Sequence, residues 1–493
     1  MRYVLAVDQG TTGSRAVLYD KNGRRKASAY EEFRQYFPRP GWVEHDPLEI
    51  WRSVDNSIQK VLKQAPGAEI AAVGITNQRE TTVVWDRETG RPVYNAIVWQ
   101  CRRTARRCRE LKKRGGAEQF FSGRTGLPID AYFSASKIEW ILKNVPGASA
   151  KAGKGRLFFG TTDSWVLWKL SSGGAHATDF TNASRTMLFN IEKMKWDDDI
   201  LKEFGIPPAL LPEVRRSSGE FARTARRGRL ASGIPICGIA GDQQAALFGQ
   251  ACFRPGTLKN TYGTGCFMLL NAGKNRPVSK HGLITTLACG EDGGPVYALE
   301  GAVFIAGAAI QWLRDGLKLL KSSSESEGMA WSLKDNQGVY FVPALTGLGA
   351  PYWDPDARGA VYGITRGTKA QHLARAALEA ICYQSKDVLS AIQKDSGFKI
   401  KSLKVDGGAA ANDFLCRFQA DILGIEVIRP KVIESTSLGA AYLAGLACGY
   451  WKSTAEIERH WERDKVFKPR MERREAAAYY KGWLDAVRRT LTR

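Results

Sequence analysis

A chain of 493 residues, 44% hydrophobic and 25% charged, is too long for one ordinary core and apolar enough to fold, so two large domains, or three to four small ones, are expected. Its net charge of +22 favours polyanionic partners such as nucleotides, nucleic acid or acidic lipid. A membrane helix is excluded because the nearest apolar span, Leu438 to Trp451, is short and broken by glycines, and no signal peptide is visible because Tyr3–Val7 stops at Asp8. A zinc or disulfide frame is excluded too: the nine cysteines form no Cys-x-x-Cys pair and the five histidines lack zinc-ligand spacing. These features point to the cytoplasm.

The first strand covers residues 2–7, Ala16–Asp20 forms a second, Lys21-Asn22-Gly23 is a turn, and a third strand runs from Lys26 to Phe33. Between the first two lies Asp8-Gln9-Gly10-Thr11-Thr12-Gly13-Ser14-Arg15. Such a glycine- and threonine-rich tip turns backbone N–H groups and hydroxyls into one concavity, which suits a phosphate chain. It is not a P-loop, since no Gly-Lys-Ser/Thr and no following helix occur. The alternative is an ordinary polar hairpin. Asp8, a carboxylate ending a buried strand, suits magnesium held partly through retained waters.

A helix spans Pro47 to Gln64, and strands follow at Ile70–Thr76, Thr81–Asp86 and Ala96–Trp99. Arg79 and Glu80, between apolar strands, could hydrogen-bond a polyol or form a hairpin ion pair, worth little if exposed. The run Arg102 to Arg114 carries many cations and no aromatics, so it reads as a solvated helix rather than a nucleic-acid groove. Next come a loop from Gly126 to Tyr132, an amphipathic helix over Ser136–Asn144, a strand ending near Asp163, and a helix starting there. Ile234–Ile239 is a buried strand, Gly241 a turn, and Asp242 opens an Ala-rich helix. A carboxylate there is placed for chemistry at a sheet mouth or for capping the helix.

The second half repeats the first opening. Thr257–Thr261 is a strand, Tyr262-Gly263-Thr264-Gly265 a tip, and Cys266–Leu270 the returning strand. Two such hairpins suggest a duplicated domain with a cleft between the copies, residues 1–249 and 250–493. Helices are expected at Phe304–Leu317 and Gln371–Gln393, with a charged stretch near Ser322–Gly328. Leu403 to Asn412 joins a strand to a helix through Gly407-Gly408, which permits close approach of a flat ligand such as adenosine or makes a plain tight turn.

Several long stretches now match a known family in order: Asp8–Thr12, Pro40–Pro47, Gly74–Thr82, Lys137–Trp140, Thr181–Leu188, Ala240–Gln244, Asn260–Phe267 and Gly359–Glu379. The chain resembles the FGGY family of carbohydrate kinases along essentially its whole length, above all its glycerol-phosphorylating branch. The resemblance implies an α/β protein of two ribonuclease-H-like domains, as in actin, hexokinase and the Hsp70 ATPase, flanking a catalytic cleft. It implies ATP and Mg2+ as cofactors and glycerol as the substrate, phosphorylated to sn-glycerol 3-phosphate in glycerol catabolism; another small polyol or ketose is the alternative. By the same resemblance, Thr11, Thr12, Gly13, Arg15 and Thr264 line the phosphates, and Gly307, Gln311, Gly408 and Asn412 hold more of the nucleotide. Arg79, Glu80, Tyr132, Asp242 and Gln243 bind glycerol, Trp99 and Phe267 pack on its carbons, Asp242 is the general base, and Asp8 with Asp242 holds the metal. A homodimer or homotetramer is implied, and no nucleic acid.

Three stretches depart from the family. Gly13 stands where close relatives carry Ser, so a hydroxyl beside the phosphates is lost. Regulated members carry a Gly-Gly-Thr-Arg loop for fructose 1,6-bisphosphate, whereas Gly228-Arg229-Leu230-Ala231-Ser232-Gly233 stands here, so that inhibition is not expected. Arg470–Tyr480 differs from the segment that contacts a sugar-transport regulator in some relatives, and that partner is not expected either.

Overall fold

The computed structural model describes residues 1–492 and divides the chain into two compact units. The first comprises Met1–Phe253, Thr285–Tyr297 and Ser435–His460; the second comprises Arg254–Ile284, Ala298–Glu434 and Trp461–Arg493. Two stretches of the second half of the sequence thus pack with the first half.

The first unit is built on a six-stranded sheet in the order Ser218–Arg223, Pro235–Gly241, Glu69–Asn77, Arg2–Gln9, Gly13–Tyr19, Arg25–Glu32. The three middle strands Pro235–Gly241, Glu69–Asn77 and Arg2–Gln9 run parallel. Their middle residues are buried and apolar because helices cover both faces. On one face lies the helix Pro47–Gln64, capped by Asp46, whose carboxylate accepts the Leu48 N–H at 2.8 Å. On the sheet also lies the helix Ser435–Ala447, at backbone contact: a Cβ on Gly74 would stand 2.2 Å from the Ala440 carbonyl oxygen, and one on Gly238 2.5 Å from the Ala444 nitrogen. Glycine is required there because the helix and strand backbones approach closer than any side chain allows.

The second unit repeats this order. The hairpin Leu258–Tyr262 with Cys266–Gly273 is antiparallel, Ser402–Asp406 and Glu426–Pro430 follow in parallel, and Arg463–Phe467 closes antiparallel. Its core gathers the 27-residue helix Ala370–Ser396, the helix Asp413–Leu423 and the helix Arg473–Thr490.

Most expected elements fall within a few residues of their places. The strand expected over Ala96–Trp99 is only Ala96–Ile97. In place of one helix over Phe304–Leu317, a short α-helix, Gly307–Gln311, passes into a π-turn, Trp312–Gly316. The basic run does hold a helix, Ala105–Lys112, but it is not simply a solvated face. Cys108 and Leu111 are buried, Arg107 pairs with Glu139 at 3.0 Å and Glu203 at 2.9 Å, and the Arg103 side chain is buried. The Arg103 guanidinium bonds Glu44 at 2.6 Å and lies 3.9 Å from the Trp42 ring centre and 4.7 Å from that of Trp140. A cation so enclosed is held by its charge partner and by ring faces, which single-residue polarity does not foretell.

Candidate active site

Within the first unit, the parallel strands end together. Asp8 faces Thr76 in register, and Thr76 faces Ala240 on its other side. In-register neighbours on parallel strands share one face of the sheet, so Asp8 and Thr76 open toward the same side. Two residues past Ala240 the chain enters the helix Asp242–Gly249. Gly241 takes the cap position and Asp242 is the first helical residue, so the expected cap is displaced by one. One Asp242 oxygen accepts the Gln243 N–H at 2.7 Å and lies 3.1 Å from Arg79 Nε. Burial, together with the charge of Asp242, pushes the Asp8 carboxyl up to about 7, while Arg15 pulls it back.

Arg79 is buried, and its guanidinium also donates to Gln244 Oε1 at 3.3 Å. Its Nε lies 4.0 Å from Glu80. The ion pair between them is therefore not an exposed one of little worth: both side chains are 2% exposed. Glu80 has a φ of 61°, a left-handed conformation that costs a non-glycine residue about 1–2 kcal/mol. Its surroundings impose this. Its carboxylate accepts from Arg185 Nε at 2.6 Å, and its carbonyl accepts from Ser134 Oγ at 3.1 Å and Lys137 Nζ at 3.2 Å.

Lys137 also donates to the Tyr132 carbonyl at 2.7 Å and is fully buried, which pushes its ammonium down to about 8. Tyr132 stands edge-on to Trp99, with ring centres 5.7 Å apart, and Trp99 Nε1 donates to Thr11 Oγ1 at 3.1 Å. Asp8, Thr11, Arg79, Glu80, Trp99, Tyr132 and Asp242 are thus linked by these contacts, with Gln243 buried alongside. Behind them, Thr181 Oγ1 accepts the Gly241 N–H at 2.8 Å, Asp179 accepts from Thr181 and from Ser217, and Asn182 pairs with Asn77. This buried network fixes the turn that presents Asp242.

Sequence reasoning left Lys137, Thr181 and Arg185 without roles. The signal was present, since all three lie in the stretches that carried the family resemblance.

At the tip, Gly10 N–H donates to the Gly13 carbonyl at 2.9 Å, and Thr12 Oγ1 lies 3.1 Å from the Tyr30 hydroxyl. A Cβ on Gly13 would meet the Glu31 carbonyl oxygen and the Tyr30 ring and hydroxyl, each at 2.5 Å. Gly13 is therefore more than a missing serine: the phenol of Tyr30 fills the space. Arg15 lies under the same ring, 5.5 Å from its centre.

In the second unit the tip is built from backbone. Thr264 and Gly263 are exposed; the Thr264 carbonyl accepts the N–H groups of Ala306 at 2.8 Å and Ala308 at 3.1 Å, and Gly307 N–H donates to the Gly263 carbonyl at 3.0 Å. Gly407, with a φ of 84°, would place a Cβ 2.4 Å from the Tyr262 carbonyl oxygen. Gly408 and Gln311 are exposed, Phe267 is half-buried, and Asn412 caps the helix Asp413–Leu423 through the Leu415 N–H at 2.9 Å. The structure thus brings Thr264 and Gly307 together, with Gly407 against the same hairpin.

The two halves match the descriptions of the FGGY family of carbohydrate kinases, its N-terminal domain over residues 3–249 and its C-terminal domain over residues 258–448. The chain belongs to the FGGY family of carbohydrate kinases. This FGGY kinase is 56% identical over 492 residues to a glycerol kinase of Alkaliphilus metalliredigens, covering 99% of this chain and 98% of that one. It is 57% identical over 493 residues to glycerol kinase 2 of Thermotoga maritima, covering 100% and 99%. Among solved structures, the glycerol kinase of Plasmodium falciparum with ADP superposes with a TM-score of 0.91 at 36% identity, covering 100% of this chain and 99% of that one. A gluconate kinase from Lactobacillus acidophilus, at 23% identity and a TM-score of 0.87, shares the fold. The expected fold class of this FGGY kinase, paired domains of the actin and hexokinase type, holds.

Proposed function

We propose that this FGGY kinase transfers the γ-phosphoryl group of ATP to a primary hydroxyl of glycerol, giving sn-glycerol 3-phosphate and ADP, with Asp242 as general base. Full-length similarity to glycerol kinases supports the reaction. The observation that carries the base assignment is the position of Asp242: first residue of a helix at the end of a parallel strand, partly exposed, and held by a buried arginine at 3.1 Å.

A primary alcohol is a poor nucleophile at neutral pH. As the new O–P bond forms, Asp242 takes the hydroxyl proton, the bond between the γ-phosphorus and the bridging oxygen breaks, and ADP leaves with that electron pair. Arg79 holds the Asp242 carboxylate still and, with Glu80 and Gln243, offers the polyol hydroxyls donors and acceptors in a dry site. Trp99, Tyr132 and Phe267 supply apolar surface for its carbons. Thr11, Thr12, Gly13, Arg15 and Thr264 bind phosphate oxygens; Gly307, Gln311, Gly408 and Asn412 bind the rest of the nucleotide.

The donors present also fit Mg2+. Asp8 and Asp242 are oxygen ligands that repel each other, and the described residues hold no cluster of three His, Cys, Asp or Glu side chains. Two carboxylates without a cage suit a cation that keeps waters and shares the nucleotide phosphates. When bound, Mg2+ neutralises the charge that develops on those phosphates. The nine cysteines are all free, which supports a reducing cytoplasmic setting, and a homodimer or homotetramer is the assembly we propose, testable by light scattering.

ADP release should depend on glycerol and fall away on dihydroxyacetone, erythritol and xylulose. Asp242→Asn should bind glycerol nearly normally, by calorimetry, and turn over about a hundred- to ten-thousand-fold more slowly. Unchanged turnover would remove Asp242 from its role.

A further inference from the structure

Thr76 stands at the end of the central parallel strand, in register with Asp8 on one side and with Ala240 on the other. Its side chain is fully buried, and its hydroxyl oxygen has no hydrogen-bond partner among the described residues. A buried hydroxyl left unsatisfied costs about 1–3 kcal/mol, and native structures keep few such groups without a reason, commonly an ordered water or ion. A valine would fill the same volume without that cost. The other polar side chains around it are well bonded: Asn77 pairs with Asn182, Gln78 with Thr81, and Arg79 with Asp242. The unsatisfied group is the one that shares a sheet face with Asp8 and faces Ala240, two residues before Asp242.

We infer that the Thr76 hydroxyl is a further member of the metal site, anchoring a water of the hydrated divalent cation held by Asp8 and Asp242. This rests on the metal reading given above. A cation bound through retained waters needs fixed acceptors and donors around those waters, and a hydroxyl can be either. Thr76 is fixed by the sheet on both sides, so it orients the water shell without touching the reacting phosphate.

The test is binding of Mn2+ with ADP to the whole protein, read by water-proton relaxation, together with thermal melting. Thr76→Val should weaken Mn2+·ADP binding five-fold or more, with glycerol binding unchanged, and Thr76→Ser should restore the affinity. A Thr76→Val protein with unaltered Mn2+·ADP affinity and an unchanged or raised melting temperature would overturn the inference, because the hydroxyl would then be a tolerated defect. Asp8→Asn separates the two readings. If it weakens binding while Thr76→Val does not, only the role of Thr76 fails. If neither variant changes binding, the metal site itself is misplaced, and the role of Thr76 falls with it.

Discussion

The two glycine hairpins are the same element put to different uses. The first, around Gly10–Gly13, follows a strand ending in Asp8-Gln9 and stands beside a buried set of charges: Arg79, Glu80, Lys137 and Arg185. The second, around Gly263–Gly265, follows a strand ending in the buried Tyr262, whose hydroxyl donates to Gln419 at 2.7 Å, and is enclosed by Gly307 and Gly407. One is a side-chain site and the other a backbone site. Charge can be delivered only by residues whose burial is compensated by partners; a close-fitting surface requires the absence of side chains. The same hairpin recurs in both units, with buried charges gathered beside one and backbone groups beside the other.

That contrast can be broken most severely at Arg79. Arg79→Ala takes from Asp242 the guanidinium 3.1 Å away and leaves Glu80 with Arg185 alone, and truncating one partner of a fully buried ion pair costs about 3–5 kcal/mol, an upper bound for the partly exposed Asp242. Glycerol KM should rise by a hundred-fold or more while ATP KM changes little. A normal glycerol KM would show that the charged set is structural only. On the second hairpin, Gly407→Ala adds a Cβ 2.4 Å from a carbonyl oxygen at a φ of 84°, so the expected pattern is the reverse: ATP KM rises about ten-fold, glycerol KM holds, and melting falls by several degrees. Equal effects on both substrates would dissolve the distinction between the two tips.

Lys137 gives a milder and pH-dependent test. Burial holds its pKa down to about 8 against 10.5, so the fold sheds this proton more readily than the unfolded chain. Its contribution to stability is therefore least favourable below pH 8 and improves as pH rises from 8 toward 10.5. Function should move the other way. As the ammonium loses its charge above pH 8, its grip on the Glu80 and Tyr132 carbonyls weakens and glycerol KM should climb a few-fold; Lys137→Met should abolish that inflection. The smallest effect is expected at Gly13. Gly13→Ser collides with the Glu31 backbone carbonyl as well as with Tyr30 and should raise ATP KM about two- to three-fold, and adding Tyr30→Ala should recover it only in part. An unchanged ATP KM in Gly13→Ser would mean that the pairing of the Gly13–Tyr19 and Arg25–Glu32 strands yields to the added side chain.

Much of this was readable from the chain. The hairpins announced themselves because turns that need glycine leave a local trace, and Asp8 and Asp242 were visible as carboxylates ending apolar strands. What escaped was long-range. Arg103 lies in a run of cations, yet its surroundings of Trp42, Trp140 and Glu44 come from distant stretches. Lys137 reads as one cation on an amphipathic helix, and only the fold shows two carbonyls closing on it. The cavity-filling role of Tyr30 beside Gly13 depends on the register between the strands Gly13–Tyr19 and Arg25–Glu32, which no local pattern fixes to the residue.

The helix Ser435–Ala447 has a bearing on how the protein is made. It lies against Gly74, Gly238 and Gly249 at backbone distance, so this late segment covers part of one face of the first sheet. After Phe253 leaves the ribosome, about two hundred residues must still be added before that face can close, a wait of about 10–40 s at ordinary elongation rates. Throughout that time the nascent first unit carries an open apolar surface, a natural target for chaperones, and a gene fragment ending at Phe253 should yield insoluble protein unless residues 435–460 are supplied.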